Sequence, residues 1–302
     1  MGLLPLLRFG QFRLPVALLR ATALELAILA GHLVLYPSGI SQERPGRPGR
    51  GSPGGSGDPD RPGTVESGRA AQETSALPTS AATAFPPAVL LHGFIDNRSV
   101  FVLLRRHLAR QGRRPIESLN YSPLTCDIRS AAELLGRHVE EVCTRTGRPE
   151  VDIVGHSLGG LIARYYVQRL GGDRRVRTLV TLGTPHSGTS VVPLASAHPL
   201  VRQMRPGSDV VEELRLPAPG CRTRFVSFWS DLDQLMVPLE TACIDHPDLQ
   251  VRNIRVSGIG HLALPVHPAV AAIIREVLEP SERGTAPEAE AASAASGVVS
   301  VA

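Results

Sequence analysis

Residues Val151 to Gly160 read VDIVGHSLGG, which places one serine between glycines, directly after an apolar run and directly before a helical pattern. The pattern is G-x-S-x-G, with Gly155, Ser157 and Gly159 at its defining positions. A serine on a sharp turn from strand to helix has a strained backbone and leaves no room for neighbouring side chains. Glycines on both sides remove those side chains. The stretch therefore predicts a turn that lifts the Ser157 hydroxyl above the end of a sheet.

Apolar runs alternate with helical patterns on both sides of this stretch. The candidate strands are AVLLHGF, IESLNY, VDIVGH, VRTLVTLG, RFVSFWS and VRNIRVSG, with helical patterns such as DIRSAAELLGRHVEEVCTRTG between them. Short apolar strands that alternate with helices are typical of a parallel sheet covered on both faces. The predicted fold class is therefore α/β, with a minimal, mostly parallel sheet of about six strands. Functional residues of such sheets follow the carboxyl ends of the strands.

A serine hydroxyl needs a base that takes its proton and a third group that orients the base. In a fold with this serine turn, the partners follow in the order serine, acid, histidine. The loop after RFVSFWS offers Asp231 and Asp233, and the loop after VRNIRVSG offers His261. His261 is the one histidine in the loop that this order requires. Other histidines are interpreted as structural, namely His92, His138, His246 and His267.

The negative oxygen of a tetrahedral intermediate needs two backbone N–H donors. The first predicted donor is Leu158, at the start of the helix after the serine. The second is Phe94 in AVLLHGFIDN, where Gly93 lets the chain turn tightly after its strand. The Phe94 ring is also predicted to line a substrate pocket. His156 lies next to Ser157 on the wrong side of the turn to be its base, and we assign it to substrate binding.

Charge and cysteine content exclude several classes of protein. All 32 basic residues are arginine, and they are scattered among 28 acidic residues, which argues against nucleic-acid binding. The four cysteines have no spacing typical of a zinc site. Cys221 and Cys243 flank a predicted strand and loop. They are able to pair if the protein is exported, and the alternative is that all four thiols are free.

The chain divides into four parts. Residues 1–36 are an apolar anchor or signal segment, residues 37–84 a disordered Gly/Pro/Ser/Arg-rich linker, residues 85–280 the α/β domain, and residues 281–302 a disordered tail. Residues 14–36 are just long enough to span a bilayer, and Glu25 near their middle opposes insertion. A cleaved signal peptide and a helix packed on the domain are the alternatives.

Four motifs, LLHGF, GHSLGG, TLGTPHSGT and GIGHLALP, resemble those of bacterial triacylglycerol lipases of the α/β-hydrolase fold, particularly the actinobacterial type. The resemblance covers about residues 85–279. It implies ester hydrolysis through an acyl-enzyme, with Ser157 as nucleophile and His261 as base. It favours Asp233 over Asp231 as the orienting acid, because the family's acid commonly opens a D-x-x-V/M-x-P pattern. The metal-binding pattern of larger bacterial lipases is not visible, so no cofactor is expected.

The sequence therefore predicts a lipase or esterase that is exported and either anchored at the outer face of a membrane or secreted. The expected partners are a lipid or small ester substrate and a membrane contacted through residues 14–36, with no nucleic acid, and the protein is expected to be a monomer. An acyltransferase or thioesterase would use the same residues. A non-catalytic, membrane-tethered binding module is the alternative from a different class.

Overall fold

The computed structural model describes residues 16–35, 85–94, 96–109, 114–122, 127–191, 198–279 and 297–300 of the 302-residue chain. The predicted linker, residues 37–84, lies outside the described residues, as does most of the predicted tail.

Seven parallel strands form one sheet in the described part of the chain. They are β1 (Ala88–Leu91), β2 (Ile116–Leu119), β3 (Val151–His156), β4 (Val176–Leu182), β5 (Arg224–Ser230), β6 (Gln250–Ser257) and β7 (Gly297–Ser300). Their order across the sheet is β2-β1-β3-β4-β5-β6-β7. The first six are the strands predicted from the sequence. Strand β3 lies near the middle, so the serine turn at its end is covered by neighbours on both sides.

Helices cover both faces of this sheet. They are α2 (Val102–Ala109), α3 (Ile128–Thr146), α4 (Leu158–Arg169), α5 (Pro199–Gln203), α6 (Asp209–Glu213) and α7 (Pro268–Leu278), with an N-terminal helix α1 (Val16–Leu35). Successive strand residues point to opposite faces. Ile153 accordingly belongs to the core under α3 and α4, and Val154 to the core under α2 and α7. This burial on both faces explains why the strands are almost continuously apolar.

Helix α1 packs on the sheet domain, residues 85–279. Its Ala21 is 3% exposed, and the Glu25 carboxylate accepts hydrogen bonds from the backbone N–H groups of Leu262 and Ala263 at 2.9 and 3.0 Å. Among the described residues, no helix has the length and apolar character needed to cross a membrane. The structure matches the packed-helix alternative. The expectation of a membrane-spanning anchor over residues 14–36 has no support in it, because Glu25 is bonded to the domain.

Two further outcomes concern the tail and the cysteines. Strand β7 lies within residues 281–302, which the sequence assigned wholly to a disordered tail, and it pairs in parallel with β6. The prediction is therefore wrong for these four residues, whose Val-Val pair extends the edge of the sheet. Cys221 and Cys243 are free thiols, as the alternative without a disulfide predicted.

Candidate active site

Ser157 has the strained backbone that the sequence predicted for it. Its φ of 53° and ψ of −121° make it the one non-glycine residue with a positive φ among the described residues. A Cβ on Gly155 would lie 2.5 Å from the Gly160 backbone, and a Cβ on Gly159 would lie 2.4 Å from the Leu91 carbonyl oxygen. Ser157 occupies the N-cap of α4 without a capping hydrogen bond from its side chain. Its hydroxyl is thus available to the cavity that it lines.

Asp233 and His261 form a buried pair. The His261 Nδ1 lies 2.7 Å from the Asp233 Oδ2, and both residues are at most 3% exposed. The other carboxylate oxygen accepts hydrogen bonds from the backbone N–H groups of Leu235 and Met236 at 2.9 and 3.2 Å. This arrangement holds the carboxylate in one orientation. A proton on Nδ1 that is donated to Asp233 leaves the lone pair of Nε2 free to act as a base.

Asp231 has a different environment. Its carboxylate pairs with Arg255 at 3.1 Å and accepts a hydrogen bond from the backbone N–H of Gly258 at 3.3 Å. Of the two acids, Asp233 is the one whose carboxylate contacts His261, and it is also the one that the D-x-x-V/M-x-P resemblance favours.

The pKa of His261 reflects opposing influences. Burial disfavours the charged imidazolium and lowers the pKa, whereas the charge and hydrogen bond of Asp233 raise it, with smaller increases from Glu25 and Asp96. The net effect is a pKa above the ordinary histidine value. A raised pKa makes the neutral imidazole a stronger proton acceptor, which favours it as a general base.

His156 and Asp96 lie together at the wall of the same cavity. The His156 Nδ1 is 3.4 Å from the Asp96 carboxylate, and its Nε2 is 3.3 Å from the carbonyl oxygen of His261. Burial lowers the pKa of His156 although Asp96 opposes this. Sequence reasoning missed Asp96. The signal was available, because Asp96 follows β1 by only a few residues, at the sheet edge where functional residues gather.

The cavity has a volume of about 210 Å³ and a mostly apolar wall. Its floor carries Ser157 and His261, and Phe94 and His156 line it as predicted. The segment from Ser187 to Gly220, which contains α5 and α6, covers one side. The residues of this segment that line the cavity are Thr189, Val191, Val201 and Met204. The described parts of this segment, called the cap below, therefore form one wall of the cavity.

The predicted oxyanion donors lie at the start of α4 and in the loop after β1. Leu158 is the first residue of α4, where backbone N–H groups have no partner within the helix and favour negative charge. Phe94 lines the cavity next to Gly93, and its ring meets that of His198 edge to face at 5.5 Å between centroids. The donation of both amides to a reacting oxygen stays a prediction.

Three other histidines of the described residues have structural contacts. His92 stacks on Tyr121 with ring centroids 4.4 Å apart, and His246 contacts the Leu216 carbonyl. His186, in the Thr184-Pro185-His186 segment, is buried against Thr181, and burial together with Arg164 lowers its pKa well below the usual value. Thr184 bonds the Ser157 carbonyl, which helps to hold the turn. The described residues contain no cluster of three or more His, Cys, Asp or Glu arranged to hold a metal.

The parallel sheet, the serine turn near its centre and the apolar cavity define the α/β-hydrolase fold. Two solved structures establish the fold. A mature lipase of Bacillus licheniformis matches with a TM-score of 0.56 at 16% identity, over 65% of this chain and 93% of that one. Lipase B of Aspergillus fumigatus matches with a TM-score of 0.58 at 14% identity, over 68% and 54% of the two chains.

The sequence matches the palmitoyl protein thioesterase family over residues 87–243, just over half of the chain, and the protein belongs to that family. It is also similar to two bacterial triacylglycerol lipases. The one from Burkholderia plantarii is 30% identical over 122 residues, and the one from Pseudarthrobacter phenanthrenivorans is 39% identical over 57 residues. These segments cover 38% and 19% of this chain but only 33% and 17% of those relatives.

Proposed function

We propose that this protein is a serine carboxylic-ester hydrolase, a lipase or esterase, that cleaves acylglycerols or related lipid esters. One observation carries the proposal: the buried Asp233–His261 pair and the strained Ser157 lie at one cavity. These three groups supply an orienter, a base and a nucleophile in the order that the fold requires.

The proposed reaction has two halves. His261 Nε2 takes the hydroxyl proton as Ser157 Oγ attacks the ester carbonyl carbon, and the resulting oxyanion faces the N–H groups of Phe94 and Leu158. The bond to the alcohol oxygen then breaks, and His261 returns the proton to that oxygen. Water attacks the acyl-serine in the same way, with its proton passing through His261 to Ser157 Oγ as the carboxylic acid leaves.

The cavity wall supports a substrate with an apolar acyl chain. Uncharged, apolar side chains suited to an acyl chain line the cavity, namely those of Val201, Met204, Leu235, Met236 and Leu262. The similarity to two proteins named triacylglycerol lipase agrees with this class of substrate.

A fluorophosphonate probe and p-nitrophenyl esters of rising acyl length test the proposal. Wild-type protein is expected to be labelled at Ser157 and to hydrolyse the esters, and Ser157→Ala is expected to lower kcat at least about 10⁴-fold. Folding of the variant is checked by circular dichroism. Full activity in a folded Ser157→Ala variant would overturn the assignment of the nucleophile.

The family match favours thioester cleavage as a second candidate activity. The same residues would act on it, since thioesters and oxygen esters pass through the same acyl-serine. Matched substrates with one acyl chain, one an oxygen ester and one a thioester, separate the two activities. A kcat/KM ratio far in favour of the thioester would make the protein a thioesterase.

Export with residues 1–36 retained on the mature chain is also proposed, on the basis of the arginines at positions 8, 13 and 20 and the apolar residues that accompany them. Protease accessibility in intact cells tests it, because only an exported chain is digested while the cell envelope stays closed to the protease.

A further inference from the structure

Helix α1 places a carboxylate against the loop that carries the proposed base, and this contact has no part in the reaction described above. We propose that Glu25 is a positioning residue, which holds the loop of His261 in its working geometry and adds negative charge beside the imidazole. The inference rests on the proposed function, because it assigns a task to Glu25 only if His261 is the base.

The contact joins residues that are distant in the sequence. Glu25 Oε2 accepts the N–H of Leu262 at 2.9 Å, and Oε1 accepts the N–H of Ala263 at 3.0 Å. A carboxylate that uses both oxygens on two successive amides fixes position and orientation together, and such charge-assisted bonds are stronger than neutral ones. These amides directly follow His261.

Gly260 makes this contact possible. A Cβ at this position would lie 2.6 Å from the Glu25 carboxyl carbon and 2.7 Å from its Oε1. The absence of a side chain therefore leaves the space that the carboxylate occupies. A side chain at position 260 would therefore displace the Glu25 carboxylate.

Residues 261–266 form turns between β6 and α7, with backbone hydrogen bonds from Leu264 N–H to His261 and from Val266 N–H to Ala263, and they have no strand pairing to hold them on the sheet. Asp233 holds the His261 ring, and His156 lies 3.3 Å from the His261 carbonyl oxygen. Glu25 binds the backbone N–H groups of the two residues that follow His261. A displacement of about 1 Å at a reacting group lowers rates up to about 100-fold.

Four titratable groups face His261. The carboxylates of Asp233, Glu25 and Asp96 raise its pKa, and its ring lies 4.8 Å from that of His156, whose own pKa is lowered by burial. Loss of the Glu25 charge is therefore expected to lower the pKa of His261. The neutral base then persists to lower pH, so the acid limb of the activity profile moves to lower pH.

The test compares Glu25→Gln, Glu25→Asp and Gly260→Ala with wild type in the full chain. Glu140→Gln is the matched control, because it removes a surface carboxylate that pairs with Arg175 and does not line the cavity. Glu25→Gln is expected to lower kcat about tenfold with little change in KM, and to move the acid limb to lower pH. Glu25→Asp keeps the charge and should restore part of kcat and the wild-type limb. Gly260→Ala displaces the carboxylate and should resemble Glu25→Gln.

The rate of Ser157 labelling by a fluorophosphonate, measured against pH, separates this inference from the proposed function. Absence of labelling in folded wild type defeats the proposed function. Labelling of Glu25→Gln at the wild-type rate and pH dependence overturns the inference alone. Slower labelling with an unmoved acid limb also overturns it, because a merely loosened helix changes the rate and not the pKa. If Glu25→Gln does not fold, Gly260→Ala is judged by the same criteria.

Discussion

At the scale of single residues, Ser157 and Asp233 show how much the site depends on local backbone geometry. The positive φ of Ser157 is retained because the glycines around it allow a close approach of α4 to the sheet. Asp233 is oriented by two amides of its own loop, which direct its free oxygen at His261. Strain in the first case and hydrogen bonding in the second place each group before a substrate arrives.

The two acids of this loop are expected to differ sharply in their effect on activity. Asp233→Asn should lower kcat about 10³- to 10⁴-fold, because an amide no longer stabilises the correct tautomer or the charged form of His261. Asp231→Asn is the control, since it removes only a partly exposed pair with Arg255, and should leave kcat within about twofold. Steady-state kinetics on a p-nitrophenyl ester measure both. Equal losses would show that the acid has been misassigned.

The pH profile of the wild type follows from the raised pKa of His261. The base must be neutral in the free enzyme, so kcat/KM is expected to rise with pH through an apparent pKa above the ordinary histidine value of about 6.5. Asp233→Asn should move this limb to lower pH, because the largest charge that favours the imidazolium is lost. An acid limb well below pH 6 in the wild type would contradict the assignment.

At the scale of elements, β1, β3 and α4 meet in a closely packed joint beside Ser157. Helix α4 begins directly at Ser157, and its first turn lies against the backbone that follows β1. The segment 187–220 closes the other side through α5 and the residues around it. The ends of the strands thus carry the proposed reacting groups, and the segment 187–220 lines the cavity.

Gly159→Ala tests this joint. Its Cβ would lie 2.4 Å from the Leu91 carbonyl oxygen, and backbone on both sides prevents relief, so a loss of about 3 kcal/mol or more in the free energy of unfolding is expected. Gly31→Ala in α1 is the matched control. No atom lies within 4 Å of its Cβ, and stability should be unchanged or raised by up to about 1 kcal/mol. Urea unfolding measures both, and a stable Gly159→Ala variant would refute the close packing.

The cap is expected to control acyl-chain length. Val201→Phe fills part of the cavity, so kcat/KM on a p-nitrophenyl octanoate should fall about tenfold or more relative to the acetate. Leu216→Phe is the control, because Leu216 lies in the same segment but is 53% exposed. An unchanged ratio of octanoate to acetate in a folded Val201→Phe variant would show that the acyl chain lies elsewhere.

At the scale of the whole molecule, the structure buries several histidines in their neutral form. Burial lowers the pKa of His92, His156 and His186. The unfolded chain binds protons at these positions near pH 6.5 and the folded protein does not. His261 acts in the opposite sense, since its raised pKa contributes stability below pH 6.5, but it is one group against these three and His267, whose pKa burial also lowers.

The free energy of unfolding is therefore expected to fall as the pH is lowered from 7.5 to 5.5. Urea unfolding at several pH values in this window measures the slope. A stability that stays constant or increases toward pH 5.5 would mean that the three histidines become charged without cost in the folded protein.

Much of this architecture is readable from short stretches of sequence. The strands, the glycine-flanked serine and the order of serine, acid and histidine are contained in contiguous segments, because alternation, helical period and steric demand act over a few residues. That is why six strands and the three proposed catalytic residues could be predicted from the residues and the motifs they share with known lipases. Strand β7 could not, since its four residues form a strand only by pairing with the edge of a sheet that is already in place.

The packing of distant segments decided the rest. Asp231 and Asp233 are two residues apart and chemically identical, and apart from the resemblance to a lipase motif only the position of the His261 ring separates them. In the sequence, Glu25 is a charged residue that opposes insertion of an apolar helix into a membrane. In the folded protein it accepts hydrogen bonds from Leu262 and Ala263, which lie 237 and 238 positions later in the chain. Contacts between residues so distant in the sequence depend on the packing of the whole hydrophobic core. They cannot be predicted from local sequence patterns, because no local propensity determines them.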